Sequence, residues 1–263
     1  MEPTFVIAGG QRCGTTSLYR IYDAHPEVYM ARPMRPEPKY FLHDPAPGRD
    51  RDWYLETYFS DTGDARAVGE KSTSYLETSG TARRMNEQFP DLRVVVILRH
   101  PVERAVSNYR FSVRSGLETL PFDEAMAAEP KRLNTLEFNE VSTHPFAYVQ
   151  RGRYVEYLRD FLDVFVPERL LIVLHDELRE RPEELVGQLY RFVGVDPAYK
   201  PPEASSRHNV HPPDDLRIER SFLSDLCGRF ADSNRELERL LDRDLSSWSR
   251  LTPELESLSA SDD

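Results

Sequence analysis

Four consecutive β-branched residues, Val94-Val95-Val96-Ile97, lie within the apolar run Leu92–Leu98. They constrain this chain more than any other stretch. A strand open to water on one face alternates apolar with polar residues. An unbroken β-branched run fits a parallel strand covered on both faces. Phe5–Ala8 and Leu170–Leu174 read as further buried strands, and Val28–Met30 and Ala67–Glu70 as shorter ones. Helical patterns fall between them: Thr15–Ala24, Arg49–Phe59, Ser79–Phe89, Val102–Arg114, Phe122–Ala128, Tyr148–Phe165, Pro182–Val193 and Asp225–Leu245. The alternation predicts an α/β fold in which a central, mostly parallel sheet carries helices on both faces. Ligands of such sheets bind beyond the carboxyl ends of the strands.

The 263 residues contain no long Gly/Ser linker and no repeat, so a single domain over 1–250 is expected, followed by a polar tail over 251–263. The formal net charge of −11 disfavours nucleic acid and anionic membranes as partners. An anionic ligand must then be held by local cations and backbone amides. No stretch approaches the roughly 20 apolar residues of a membrane span. Met1–Thr4 lacks the basic region of a signal peptide. Cys13 and Cys227 have neither zinc nor disulfide spacing, which fits free thiols in a reducing, cytoplasmic setting.

The first strand runs into Gly9-Gly10-Gln11-Arg12-Cys13-Gly14-Thr15-Thr16-Ser17. This nearly fits the frame G-x-x-x-x-G-K-[ST], with Thr15 in the lysine slot. Such a loop presents successive N–H groups to a phosphate at a helix N-terminus. Thr15, Thr16 and Ser17 add hydroxyls, and Arg12 supplies charge. The lesser alternative is a Gly-rich strand–helix turn without a ligand.

The strand Leu92–Leu98 ends in Arg99-His100-Pro101, where a metal-dependent NTPase usually has an acid. A cation at that point can meet an anion with no metal between them. Ser107 follows eight residues later, two helical turns on. Taken alone, Arg99 could simply pair with Glu103 or Asp91.

Together these residues resemble the PAPS-dependent sulfotransferase family, whose donor is 3′-phosphoadenosine 5′-phosphosulfate. Residues 9–17 resemble its 5′-phosphosulfate loop, and Arg99-His100-Pro101…Ser107-Asn108-Tyr109 its 3′-phosphate motif. The resemblance is nearest to the carbohydrate (heparan-type) branch and its bacterial relatives. Arg35–Phe41 is similar to that branch's segment with an acidic base, and Gly69–Tyr75 to its Glu-Lys-[ST] segment. Arg151–Tyr154 with Leu158, Phe192–Val195 and Leu237–Trp248 also resemble its segments. Many members carry Lys where Arg12 stands, and the late basic loop over the nucleotide is matched only loosely, by Ser205–Asn209.

The resemblance implies a P-loop-like three-layer fold and in-line sulfuryl transfer from PAPS to a hydroxyl. It leaves 3′-phosphoadenosine 5′-phosphate (PAP) as product and needs no metal. It makes Glu37 the base and Arg12 and Lys71 the cations that offset charge on the transferring group. It gives Arg12, Cys13, Gly14, Thr15, Thr16, Ser17, Arg99, Ser107, Tyr154 and Arg207 to the nucleotide. From composition alone Glu37 is an exposed acid between two prolines, and Lys71 a partner of Glu70 or Glu77. His100 reads as a loop filler, and Asp176 as the cap of a following turn or helix. The acceptor is expected to be a small hydroxylated or carbohydrate-containing molecule. It would lie between Arg32–His43 and a lid over Ser115–Arg151, with aromatics at Tyr40, Phe41, Phe122, Phe138, Phe146 and Tyr148. Two rivals remain at this point: a nucleotide kinase with a degenerate loop, and a nucleotide-binding module without catalysis.

Overall fold

A computed structural model describes residues 1–44, 46–134, 144–201 and 215–260. Five strands form one parallel sheet: β1 (Phe5–Gly9), β2 (Val28–Met30), β3 (Ala67–Lys71), β4 (Arg93–Leu98) and β5 (Leu170–Leu174), in the order β2-β3-β1-β4-β5. Phe5 pairs with Gly69 on one side and Arg93 on the other, which places β1 at the centre. Every residue of β1 and β3 is buried, as expected of strands covered on both faces. Gly69 is required by packing. A Cβ there would lie 2.4 Å from Cζ of the Phe5 ring.

The chain groups into two compact units, 1–98 with 159–209, and 99–158 with 210–263. The first holds the sheet, with α1 (Thr15–Asp23), α2 (Arg51–Phe59) and α3 (Thr81–Gln88). It also holds α7 (His175–Glu180) and α8 (Pro182–Val193). α1 and α8 are tied by two reciprocal bonds: Tyr22 Oη donates to Leu189 O at 3.2 Å, and Tyr190 Oη to Ile21 O at 2.8 Å. α2 begins two residues later than its pattern suggests because Asp50 caps it, accepting from Trp53 N at 3.0 Å.

The second unit contains α4 (Pro101–Arg114), α5 (Phe122–Leu133), α9 (Arg220–Arg229), α10 (Ala231–Leu241) and α11 (Pro253–Glu256). Two short strands, β6 (Ile218–Glu219) and β7 (Ser259–Ala260), pair in parallel. α6 (Tyr154–Val164) crosses the division between units. Val102, Val106, Phe122, Tyr148, Leu226 and Phe230 are among the core residues of the second unit.

Several helical expectations change here. Tyr148–Phe165 is not one helix. The Glu129 carboxylate takes the N–H groups of Val149 and Gln150 at 2.6 and 2.8 Å, and a 3₁₀ turn at Gln150–Gly152 precedes α6. Asp225–Leu245 divides into α9 and α10 at Phe230, whose ring is fully buried and anchors the break. α5 runs past Ala128 to Leu133 despite Pro130. Near its end Arg132 forms an ion pair with Glu118. The stretch read as a polar tail, 251–263, instead forms α11 and β7 within its described part. Leu255 and Leu258 are buried and Leu251 packs against the same core, so three leucines at helical spacing outweigh the polar composition around them.

Candidate active site

In the first unit β1 feeds the glycine loop. Gly10 N donates to Ile97 O of β4 at 2.8 Å, seating the loop against its neighbouring strand. Gly9 has φ +149°, and a Cβ there would lie 2.7 Å from Leu76 Cβ and 3.2 Å from Thr73 O. Gly14, the N-cap of α1, has φ +106°, and a Cβ would meet His175 Cδ2 at 3.0 Å. Only glycine fits either place. Arg12 is itself left-handed, at φ +65°, an uncommon state for a residue with a Cβ. Thr15 and Ser17 are buried and Thr16 is half-buried in the first turn of α1, which has no acidic residue. No side chain caps this turn. Its N–H groups and dipole thus suit an anion.

Glu37 and Lys71, 34 residues apart, form an ion pair, Lys71 Nζ donating to Glu37 Oε1. Their side chains are 13% and 2% exposed, so neither is the solvated surface group that composition suggests. Thr73 completes the arrangement. Its N–H donates to Glu37 Oε2 at 3.0 Å, and its Oγ1 donates at 3.3 Å to Oε1 and 3.1 Å to Oε2. Lys71 therefore takes Glu37 rather than the Glu70 or Glu77 expected of a local pair.

Beside Lys71 lies a residue that the sequence reading passed over. Glu70 is fully buried. Its carboxylate accepts from Tyr75 Oη at 2.7 Å, Ser72 Oγ at 2.8 Å and Tyr54 Oη at 3.3 Å. Burial pushes Glu70 up to about 7, against the downward pull of those hydroxyls. The available signal was an acid in the strand stretch Ala67–Glu70, a costly placement within a covered sheet unless its partners are built in.

In the second unit, Arg99 follows the last residue of β4. Its Nε donates to Glu103 Oε2 at 2.9 Å, and its Nη2 to both Glu254 oxygens at 2.8 and 3.0 Å. Glu103 was one expected partner. Glu254 replaces Asp91, because α11 brings an acid within reach. Tyr154 Oη donates to Arg99 O at 2.8 Å, so these two nucleotide candidates meet through the backbone. Ser107 is buried on α4. His100 caps α4 through Nδ1, which accepts from Val102 N, so it is a structural residue. At α7 the cap comes from Glu177, not Asp176. Its carboxylate accepts from Leu174 N at 2.7 Å, while Asp176 pairs with Arg179.

Arg207, the segment Ser205–Asn209 and Phe138 lie outside the described residues. Tyr40, Phe41, Phe122 and Tyr148 are buried, so they serve the interiors of their units rather than facing an acceptor. Among the described residues, no group of three His, Cys, Asp or Glu side chains is placed to hold a metal ion. No described helix is long and apolar enough to cross a membrane.

A family model described as "Sulfotransferase domain" matches residues 2–210. Human bifunctional heparan sulfate N-deacetylase/N-sulfotransferase 3 is 27% identical over 282 residues, covering 94% of this chain and 31% of that protein. Mouse heparan sulfate glucosamine 3-O-sulfotransferase 6 is 30% identical over 193 residues, covering 73% of this chain and 52% of the relative. The chain thus spans about a third to a half of these two curated relatives. The crystal structure of a sulfotransferase from Alicyclobacillus acidocaldarius is 31% identical, with a TM-score of 0.79 over 95% of this chain and 100% of that one. Mouse sulfotransferase SULT7A1 complexed with PAP shares the fold, with a TM-score of 0.50 at 12% identity over 98% of this chain and 87% of that one. The matched region holds the glycine loop, the buried Glu37–Lys71 pair and the Arg99 strand end, and on this match the chain belongs to the sulfotransferase domain family.

Proposed function

We propose that the protein transfers a sulfuryl group from PAPS to a hydroxyl of a small-molecule or carbohydrate-containing acceptor. The observation that carries the reading is the buried Glu37–Lys71–Thr73 arrangement in a chain that also has a glycine loop suited to an anion. PAPS supplies an activated sulfuryl group whose departure leaves PAP. The residues fit that donor. The α1 N-terminus, Arg12 and the hydroxyls of Thr15, Thr16 and Ser17 suit its 5′-phosphosulfate, with Cys13 and Gly14 contributing backbone. Arg99 and Ser107 suit its 3′-phosphate, Tyr154 steadies Arg99 from behind, and Arg207 is our choice for the late basic contact.

Glu37 takes the proton of the acceptor hydroxyl as the new O–S bond forms and the S–O bond to PAP breaks. Thr73 aims both carboxylate oxygens, so the base needs little reorganisation. Lys71 balances Glu37 before transfer. It can then donate to the transferring group or bridging oxygen as negative charge moves there, a role shared with Arg12. We read 1–250 as one functional module. Two buried free cysteines suit a reducing setting, so we place the enzyme in the cytoplasm.

The test is turnover of radiolabelled PAPS against a panel of hydroxylated acceptors. Glu37→Gln should bind PAP as wild type does yet lose about 10²-fold or more in kcat. Wild-type kcat in Glu37→Gln would remove it as the base.

A further inference from the structure

A carboxylate buried in a strand interior needs a reason, since an apolar side chain of similar size would cost less. Glu70 is fully buried, and the three groups that donate to it, Tyr54, Ser72 and Tyr75, are hydroxyls rather than cations. Two of those hydroxyls have a second task. Ser72 Oγ accepts from Lys39 N at 2.9 Å, and Tyr75 Oη accepts from Phe41 N at 3.3 Å. Each hydroxyl has one proton. With the two N–H groups directed at the oxygens, both protons are available for an acceptor, and the carboxylate of Glu70 receives them. The chain of bonds therefore runs one way, from the backbone of residues 39 and 41, through Ser72 and Tyr75, to Glu70.

That backbone immediately follows Glu37. Lys39 is left-handed at φ +53°, a strained conformation that persists only where its surroundings impose it. Between the two anchored N–H groups, the Tyr40 ring stacks on Tyr54, with centroids 4.1 Å apart and planes 6° apart. Tyr54 Oη in turn donates to Glu70. Glu70 and Lys71 are adjacent on β3, so they leave the strand on opposite faces. Lys71 grips the Glu37 side chain directly. Glu70 is hydrogen-bonded to the same segment through intermediaries.

We propose that Glu70 is a positioning residue for the Glu37 base, fixing the backbone of Lys39–Phe41 through Ser72 and Tyr75. The inference rests on reading Glu37 as the base. Glu70 makes no contact with the reacting groups. It limits where Glu37 can stand.

The experiment is a double-mutant cycle between Glu70→Gln and Glu37→Gln. Its readouts are kcat with radiolabelled PAPS, using the p-nitrophenyl glycoside that wild type turns over fastest, and the dissociation constant of PAP. Gln keeps the volume but presents an NH₂ group to one of the donating hydroxyls. Glu70→Gln should lower kcat by about 10²-fold, the scale of a displaced catalytic group, with PAP affinity unchanged. It should cost nothing further once Glu37 is Gln. Ser72→Ala, which cuts only the Lys39 arm, should lower kcat by about tenfold and serves if Glu70→Gln does not fold. Wild-type kcat in Glu70→Gln beside a crippled Glu37→Gln would overturn this inference alone. So would a full multiplicative loss in the double variant, or a parallel loss of PAP affinity. Wild-type kcat in Glu37→Gln would overturn the base assignment, and this inference with it.

Discussion

Lys71→Met removes the cation from a pair whose members are 2% and 13% exposed. The stem of Lys71 is replaced at similar volume, so the main loss is electrostatic. Breaking a buried pair by deleting one partner typically costs about 3–5 kcal/mol, because the other charge is left behind. Thr73 still donates to Glu37 through its N–H and Oγ1, so the lower end, about 3 kcal/mol, applies here. At about 2–4 °C per kcal/mol for a chain near this size, that is a fall in Tm of roughly 6–12 °C. Adding Glu37→Gln removes the stranded charge, so the double variant should recover most of that loss. Turnover should behave differently. It should fall about 10²-fold in Lys71→Met and not return in the double variant. Calorimetry on the three variants, with PAPS turnover on the same samples, separates these effects. A Lys71→Met protein as stable as wild type would refute the buried pair. A double variant no more stable than the single would refute the stranded charge as the cause.

Four other outcomes follow from the same geometry. Gly9→Ala would place a Cβ 2.7 Å from Leu76 Cβ at φ +149°, so the loop should distort and PAP affinity should fall at least tenfold by titration calorimetry, about 1.4 kcal/mol. Arg99→Ala should weaken PAP binding by about 10²-fold, whereas Glu254→Gln, which frees Arg99 from an exposed competing carboxylate, should strengthen it in the same assay. Burial pushes Glu70 from 4.5 up to about 7, so its contribution to stability is complete below pH 4.5 and lost as pH rises through about 7. Denaturant titrations from pH 5 to 8 should therefore show wild type losing stability relative to Glu70→Gln. Glu118 goes the other way. Its burial is outweighed by Arg132, the Leu120 and Thr119 N–H groups and the Tyr148 hydroxyl, which pull it from 4.5 down to about 2. Its contribution is present above pH 4.5 and lost as pH falls toward 2, and Glu118→Gln should lack that acid-sensitive component.

The sheet was legible because Phe5–Ala8, Val94–Leu98 and Leu170–Leu174 are apolar runs with no competing pattern, and Leu170–Leu174 matches residue for residue. Helix ends were less legible where long-range contacts decide them. Nothing near Tyr148 in sequence reveals that Glu129 will take two of its neighbours' N–H groups. The final segment read as a tail because its polar and acidic residues dominate its composition, although Leu251, Leu255 and Leu258 recur at helical spacing and pack on the core. Of the candidate site, the glycine loop and the strand end at Arg99 announce themselves through local spacing. The Glu37–Lys71 pair does not. It joins residues 34 apart, and without the family resemblance Glu37 is one acid between two prolines. Glu70 was missed for a related reason. A buried acid is recognised by its hydroxyl partners, and Tyr54 comes from a different element.

As a sulfotransferase of the kind proposed, the protein should bind a nucleotide that is anionic at both its 5′ and 3′ ends, and should need no metal to do so. Titration calorimetry with PAP, and then with ATP and magnesium, tests this without knowledge of the acceptor. PAP should bind, with an affinity unaffected by a chelator, and at a hundredfold excess over its dissociation constant it should stabilise the protein by about 2.7 kcal/mol. ATP with magnesium should do neither. Magnesium-dependent ATP binding by a protein that ignores PAP would overturn the proposed function.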